Sequence, residues 1–212
     1  MLVKAESQLE EEQRLLAMYS YEERFYDQGI FLVAGCDEAG RGPLAGPVIG
    51  AAVILPPHCL IEGLNDSKKL SAKKRCILEQ EIKAKALAWG LAEIDNEEID
   101  AINILEASKK AMLLAALALE IKAQALLIDG PFGLKQEKLP QIAIKKGDSL
   151  SASIAAASIL AKNHRDRLMV AFDRQYPQYG FAQHKGYPTA AHREAVKEHG
   201  FSPIHRRTFK VK

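Results

Sequence analysis

Cysteine is scarce in this 212-residue chain. Cys36, Cys59 and Cys76 are an odd number with no CxxC spacing. That argues against a disulfide framework or a cysteine-built zinc site, and a reducing cytoplasm is the expected location. Long hydrophobic runs are missing too. The longest, Ala111–Leu119, falls far below the ~20 residues of a membrane-spanning helix, so no membrane association is expected. The opening stretch, MLVKAESQLEEEQ, lacks the apolar core of a signal peptide. Net charge is small, +2, and gives no footprint of a polyanionic partner by itself. There is no internal repeat and no low-complexity segment. What remains, 48% hydrophobic and 26% charged, is the composition of a globular chain able to fill one core.

The small net charge conceals an uneven distribution. Residues 1–28 carry seven acids against Lys4, Arg14 and Arg24, a net of −4. Residues 183–212 carry Lys185, Arg193, Lys197, Arg206, Arg207, Lys210 and Lys212 against Glu194 and Glu198, a net of +5. A basic end of this kind is either a phosphate-contacting surface or a solvated tail.

The hydrophobic pattern alternates between two periods. A helix is expected over 8–27, burying Leu15, Leu16, Tyr19, Phe25 and Tyr26 and stopped by Gly29. Ile30–Cys36 and Val48–Leu55 read as strands, and Ser71 as the cap of a helix over 72–86. A third strand is expected at Ala86–Ile94, with Trp89 in the core. Asn103, with Glu106 three residues on, opens a helix to about Lys122, buried along Ala111–Leu119. Strands at Ala125–Ile128 and Gln141–Lys145 follow, then a helix over 151–174 whose small residues permit close approach to a sheet. Tyr176–Pro188 reads as loop, and Thr189 caps a last helix to about His199. This alternation implies an α/β layered fold and leaves the strand order open.

Three of these strands end on carboxylates: Asp37–Glu38, Asp129 and Asp148. Adjacent acids repel, and a site holding both ionised calls for a cation, with oxygen ligands favouring Mg²⁺ or Mn²⁺. Strand alternation sends Asp37 and Glu38 to opposite faces unless the backbone leaves its pleat there, which Gly40 and Gly42 permit. Open α/β sheets place their sites at the C-terminal ends of parallel strands. Four carboxylates there could bind two divalent ions for attack on a phosphodiester. Plainer roles exist. Asp129–Gly130–Pro131 can be a turn, and Asp148 can cap the following helix. Gly40–Arg41–Gly42 offers a backbone that a ligand can approach closely, or a tight turn. A nucleotide-binding α/β protein is an alternative, although Gly46 falls one position late for GxGxxG and no Walker lysine follows. A duplex-binding protein without catalysis is another.

The run DEAGRGPLAGPV (Asp37–Val48) closely resembles the signature of the type 2 ribonucleases H, specifically bacterial ribonuclease HII. NDSKKLS (Asn65–Ser71), LIDG (Leu127–Gly130), KGDS (Lys146–Ser149), SIAAASILAK (Ser153–Lys162) and YPQYGFAQHKGYPT (Tyr176–Thr189) match in order, from about Leu15 to Phe209. The resemblance implies a ribonuclease H-like mixed five-stranded sheet flanked by helices, with a small helical C-terminal extension. It divides the chain into an N-terminal helix (1–28), a catalytic domain (29–175) and a basic extension (176–212) contributing Tyr187. It implies an endoribonuclease acting as a monomer on RNA–DNA hybrids and on duplex DNA containing ribonucleotides. Cleavage 5′ to single ribonucleotides, leaving 3′-hydroxyl and 5′-phosphate ends, would serve ribonucleotide excision repair and removal of RNA primers. Asp37, Glu38, Asp129 and Asp148 would hold two Mg²⁺ or Mn²⁺ ions, and Gly40, Arg41 and Gly42 would read the 2′-hydroxyl. Tyr187 would pack on the neighbouring sugar, with Ser67, Lys68 and Lys69 near the cleaved strand. His184 receives no catalytic role.

Overall fold

The computed structural model describes residues 2–135 and 138–210, with side chains from residue 8 onward. Lys212 and the side chains of Lys4 and Glu6, part of the charge asymmetry above, lie outside the described residues. Five strands form one sheet: β1 (Val33–Ala39), β2 (Val48–Ile54), β3 (Ala88–Ile94), β4 (Ala125–Asp129) and β5 (Gln141–Ile144). Their order is β3-β2-β1-β4-β5. The pairs β1–β2 and β2–β3 are antiparallel, whereas β1–β4 and β4–β5 are parallel. The sheet is thus mixed, as expected. The parallel register pairs Cys36 with Ile128 and Asp129 with Ile144. One step on, Asp37 stands beside Asp129 at the C-terminal ends of neighbouring parallel strands.

Eight helices surround the sheet among the described residues: α1 (Leu2–Ala17), α2 (Ser20–Tyr26), α3 (Ala72–Lys85), α4 (Asn96–Ile102), α5 (Ile104–Leu117), α6 (Ala152–Gln175), α7 (Phe181–His184) and α8 (Ala190–His199). The long helix α6 lies on one face and α5 on the other. Residues Ala152 to Ala161 of α6 are all buried, as their small size predicts. The approach is so close that a Cβ on Gly35 of β1 would fall 2.1 Å from the Ser153 carbonyl carbon. A Cβ on Gly50 of β2 would fall 2.2 Å from the Ala111 carbonyl carbon of α5. Glycine is required at both positions because helix backbone occupies the space a side chain would take.

The N-terminal helix is two helices, broken at Met18–Tyr19 because α6 uses that point as an anchor. The Met18 carbonyl accepts from Ala152 N–H (3.0 Å), and the fully buried Tyr19 donates its hydroxyl to the Cys59 carbonyl (2.7 Å). Buried Glu22 caps the same end of α6, accepting from Ser151 Oγ (2.7 Å) and Ser153 N–H (3.0 Å). Burial raises the Glu22 pKa. Leu15, Tyr19 and Phe25 are buried as anticipated and Tyr26 is half-buried, but Leu16 is exposed.

Other expectations fail for local reasons. Trp89 sits on the edge strand β3, 39% exposed, with Lys83 Nζ 4.6 Å above its ring, rather than in the core. The α5 helix stops at Leu117, and Leu114 and Leu117 face outward, because only its Ala111, Met112 and Ala115 side presses on the sheet. Helix α4, capped by Asp95 accepting from Glu98 N–H (2.8 Å), was not anticipated, nor was α7 in the loop-rich stretch. No described helix is long and apolar enough to cross a membrane. The three cysteines are free.

The contact between β1 and α6 makes a sharp prediction. Gly35→Ala must push α6 off the sheet, at a cost of about 1–3 kcal/mol for overpacking. For a chain of this size each kcal/mol lowers Tm by roughly 2–4 °C. Thermal unfolding followed by circular dichroism checks this, and an unchanged Tm would contradict the packing described.

Candidate active site

Strand β1 does not end before its acids. It stays paired with β2 through Asp37↔Ala51, Glu38↔Gly50 and Ala39↔Ile49. The pleat therefore persists, and the two carboxylates leave on opposite faces, contrary to the expected backbone departure. Asp37 shares the α6 face with Gly35 and is buried beside Ser158, whereas Glu38 belongs to the α5 face. Both stand at the sheet's end, where one cleft begins.

That cleft is lined by Glu38, Gly40, Arg41, Gly42, Ser67, Lys68, Asp129 and Tyr187 from the expected set. Asp37 lies buried next to it, under the field of Glu38 and Asp129. Asp148 stands at its margin in the short 3₁₀ turn Gly147–Ser149, where its carboxylate Oδ2 is 3.4 Å from Lys68 Nζ. Asp148 does not cap α6, because Ser151 takes that role, accepting from Ile154 N–H (3.2 Å). Lys69 is exposed and does not line the cleft. Larger hollows elsewhere, by α1 and between α3 and α6, contain none of these residues.

The electrostatics follow from crowding acids in a half-dry place. Burial, then the Glu38 and Asp129 charges, push the Asp37 pKa well above the usual carboxylate value. Burial raises Glu38 as well, with Arg41 opposing and Asp129 adding to the shift. Asp148 rises through burial and Asp129, partly offset by Lys68. Burial works against the Lys68 charge, but Asp148 and Asp37 outweigh it and raise its pKa. The acids are held apart by local partners. Asp37 Oδ1 accepts from Glu38 N–H (2.7 Å), Asp129 Oδ1 from Gly147 N–H (2.7 Å), and Arg41 Nη1 lies 3.3 Å from Glu38. Among the described residues no three side chains of His, Cys, Asp or Glu form a ready ion cage. The donor set nonetheless suits a hard divalent cation: oxygen only, with negative charge in excess.

The glycine-rich loop between β1 and β2 is fixed from behind. Gly40 has φ +105°, and a Cβ there would meet Arg165 Nε of α6 at 2.2 Å. Arg165 donates to the Pro47 (3.0 Å), Ala45 (3.0 Å) and Lys185 (2.9 Å) carbonyls. Arg206 donates to the carbonyls of Gly40 (2.6 Å), Arg41 (3.1 Å), Pro43 (2.8 Å) and Gly46 (2.8 Å). Both arginines are 1% exposed. Arg206 is therefore neither solvated tail nor phosphate contact, as its place in a basic tail had allowed. It is a buried strut. Arg165, Lys162 and Ser158, all of α6, line the cleft without having been singled out. Their spacing of four and three residues in SILAKNHR puts them on one helix face, a signal the sequence did carry.

Gly42 differs from Gly40. A Cβ there would meet nothing closer than the Tyr187 ring at 3.5 Å, an ordinary contact, and its φ is not left-handed. The protein's own packing does not require glycine at this position. Tyr187 itself is 43% exposed, with its ring set against the loop.

The ribonuclease HII family model matches residues 34–212. A ribonuclease HII of Moorella thermoacetica is 54% identical over 200 residues, covering 94% of this chain and 97% of that protein. One from Ruminiclostridium cellulolyticum is 54% identical over 199 residues, covering 94% and 78%. The solved ribonuclease H2 of Pyrococcus horikoshii OT3 shares the fold with a TM-score of 0.70 and 30% identity, over 84% of this chain and 94% of that one. The mixed five-stranded sheet flanked by helices and these relatives agree, and the chain belongs to the ribonuclease HII family as a ribonuclease H enzyme.

Proposed function

We propose that this ribonuclease H cuts the RNA strand of RNA–DNA hybrids and cuts 5′ to single ribonucleotides in duplex DNA. Products are a 3′-hydroxyl and a 5′-phosphate. The observation that carries this reading is the cleft, in which acids at the sheet's end face a glycine-rich loop and an exposed tyrosine. Asp37, Glu38, Asp129 and Asp148 are the residues that would hold two divalent ions, Mg²⁺ or Mn²⁺. Such ions, when bound, supply an activated water and charge stabilisation at the leaving oxygen.

The chain's own groups do the rest. Gly40 and Arg41 present a backbone fixed by Arg206, so the loop meets the substrate without first having to order itself. Gly42 leaves its side open where a sugar edge can approach, and the 2′-hydroxyl distinguishes RNA from DNA there. Tyr187 closes the same side of the cleft and would pack on the sugar beyond the ribonucleotide. Lys68, 77% exposed with its Nζ 3.4 Å from Asp148 Oδ2, would contact a phosphate of the cleaved strand. Ser67 is buried and holds Ser158 (2.8 Å), so its part is to seat Lys68. Lys69, exposed outside the cleft, would contact the duplex farther along. In the cell the activity would serve ribonucleotide excision and primer removal, in the cytoplasm and as a monomer.

The direct test is cleavage of a labelled DNA duplex holding one ribonucleotide, with and without Mg²⁺ or Mn²⁺. Cleavage that persists in a chelator would overturn the metal reading. Asp129→Asn keeps volume and removes charge. It should fold, measured by Tm, and lose detectable cleavage. Gly42→Ala should keep the wild-type Tm, because its methyl group finds only ordinary contact in the free protein. It should still lose most cleavage of the ribonucleotide duplex while binding all-DNA duplex as before. Equal weakening on both duplexes would make the loop a general scaffold.

A further inference from the structure

Beneath Tyr187 lies a cluster of histidines that the chemistry above does not use. His192 in α8 and His205 beyond it are buried, at 0% and 1% exposure. His192 Nδ1 is 3.0 Å from the Tyr187 carbonyl, and its Nε2 is 3.0 Å from His205 Nε2. His205 Nδ1 is 2.9 Å from Ser202 N and 2.7 Å from Ser202 Oγ.

The partners dictate where the protons sit. A backbone N–H only donates, so His205 Nδ1 accepts from Ser202 and the neutral ring carries its proton on Nε2. A carbonyl only accepts, so His192 carries its proton on Nδ1. The remaining contact is then His205 Nε2–H donating to His192 Nε2. One arrangement satisfies every atom, a one-way chain from Ser202 through both rings to the Tyr187 carbonyl. His184 stacks on His192, with ring centroids 4.4 Å apart, accepts from Gly186 N–H (3.2 Å) and donates to the Tyr179 carbonyl (2.8 Å).

We propose that His192 and His205 are positioning residues for Tyr187, fixing its carbonyl through this ordered chain and so setting its ring against Gly42. The inference rests on the reading of Tyr187 as a substrate-packing residue. A second proton on either ring places two N–H groups face to face and breaks the chain. The ionisable groups facing the pair are His184 from α7, Tyr179 from the turn before it, and Arg207 from the segment beyond α8. Among the described residues no carboxylate pairs with any of the three rings. Burial and His192 push His205 down to about 4, and burial lowers His192. The sign is that of buried neutral histidine. Between the usual value near ~6.5 and the lowered one, the unfolded chain binds protons that the folded chain refuses. The chain's stabilisation is therefore complete above that window and lost as pH falls through it.

A double-mutant cycle with Tyr187 tests the proposal on single-ribonucleotide duplex. Tyr187→Ala should lose most activity, while Tyr187→Phe keeps a substantial share. His192→Leu removes the donor to Tyr187 and should lower kcat by on the order of 10- to 100-fold, the scale of an ångström's misplacement, with KM little changed. His192→Asn, whose amide can replace the Nδ1 donor, should recover a large part of that loss. Adding His192→Leu to Tyr187→Ala should cost nothing further, because the histidine acts only through the tyrosine. A multiplicative loss would make the histidines general scaffold and overturn the proposal. Full activity of Tyr187→Ala would instead overturn the reading of Tyr187. Should His192→Leu not fold, His205→Asn, one step back along the chain, carries the same cycle. ¹⁵N NMR of the wild-type protein gives a readout independent of activity. Neutral His192 protonated on Nδ1 and His205 on Nε2 at pH 6 are expected, and the opposite tautomer for either ring sinks the idea.

Discussion

Two guanidinium groups buried behind a loop hold this structure's working parts in place. Arg165 reaches from α6, and Arg206 from the segment beyond α8, into the carbonyls of residues 40–47. Loops usually run over the surface because their polar backbone needs water. This one turns its carbonyls inward and satisfies them with two rigid forks of N–H donors. Removing either fork leaves buried carbonyls unpaired, each at about 1–3 kcal/mol. The reward is geometric: the opposite side of the loop faces the cleft in a single conformation. Burial makes both arginines costly to hold, and the Arg165 charge adds to the cost for Arg206, with Arg206 lowered to about 9 and Arg165 to about 10. Such a cost is sustained where position matters.

The carboxylates face the converse problem. Arginine charge is absorbed by backbone dipoles, whereas acids at strand ends confront one another with few cations nearby. Their upward shifts measure that conflict. Lys68 and Arg41 relieve part of it from exposed positions, and exposed lysine and arginine can readily swing toward a phosphate. The excess negative charge favours a cation in the cleft, and Lys68 and Arg41 supply only part of it, each paired with one acid at the rim.

Much of this was legible in the sequence. Small residues in α6 announced a helix pressed on a sheet, caps at Ser71, Asn103 and Thr189 fall at helix starts, and the acids read as strand ends gather at one end of the sheet. What was hidden depended on tertiary partners. The break between α1 and α2 exists because α6 takes the Met18 carbonyl, and no local signal at Met18–Tyr19 encodes that. Arg206 looks like any arginine in a basic tail until the loop 160 residues earlier is laid beside it. Trp89 was assigned to the core by residue type, but an edge strand has only one covered neighbour. The paired histidines, thirteen residues apart, show no periodicity that would connect them.

The reach of Arg206 has a consequence for how the protein is made. Loop residues 40–46 leave the ribosome early, yet the strut that closes them lies 160 to 166 residues later. Strands β1 and β2 can pair as soon as both have emerged. The loop between them keeps its carbonyls in water until the segment beyond α8 is synthesised. Ribosomes stalled short of residue 206 therefore carry nascent chains with every cleft carboxylate already present and the glycine-rich loop still unset. Synthesis of the segment beyond α8 therefore decides when this early loop takes its folded shape.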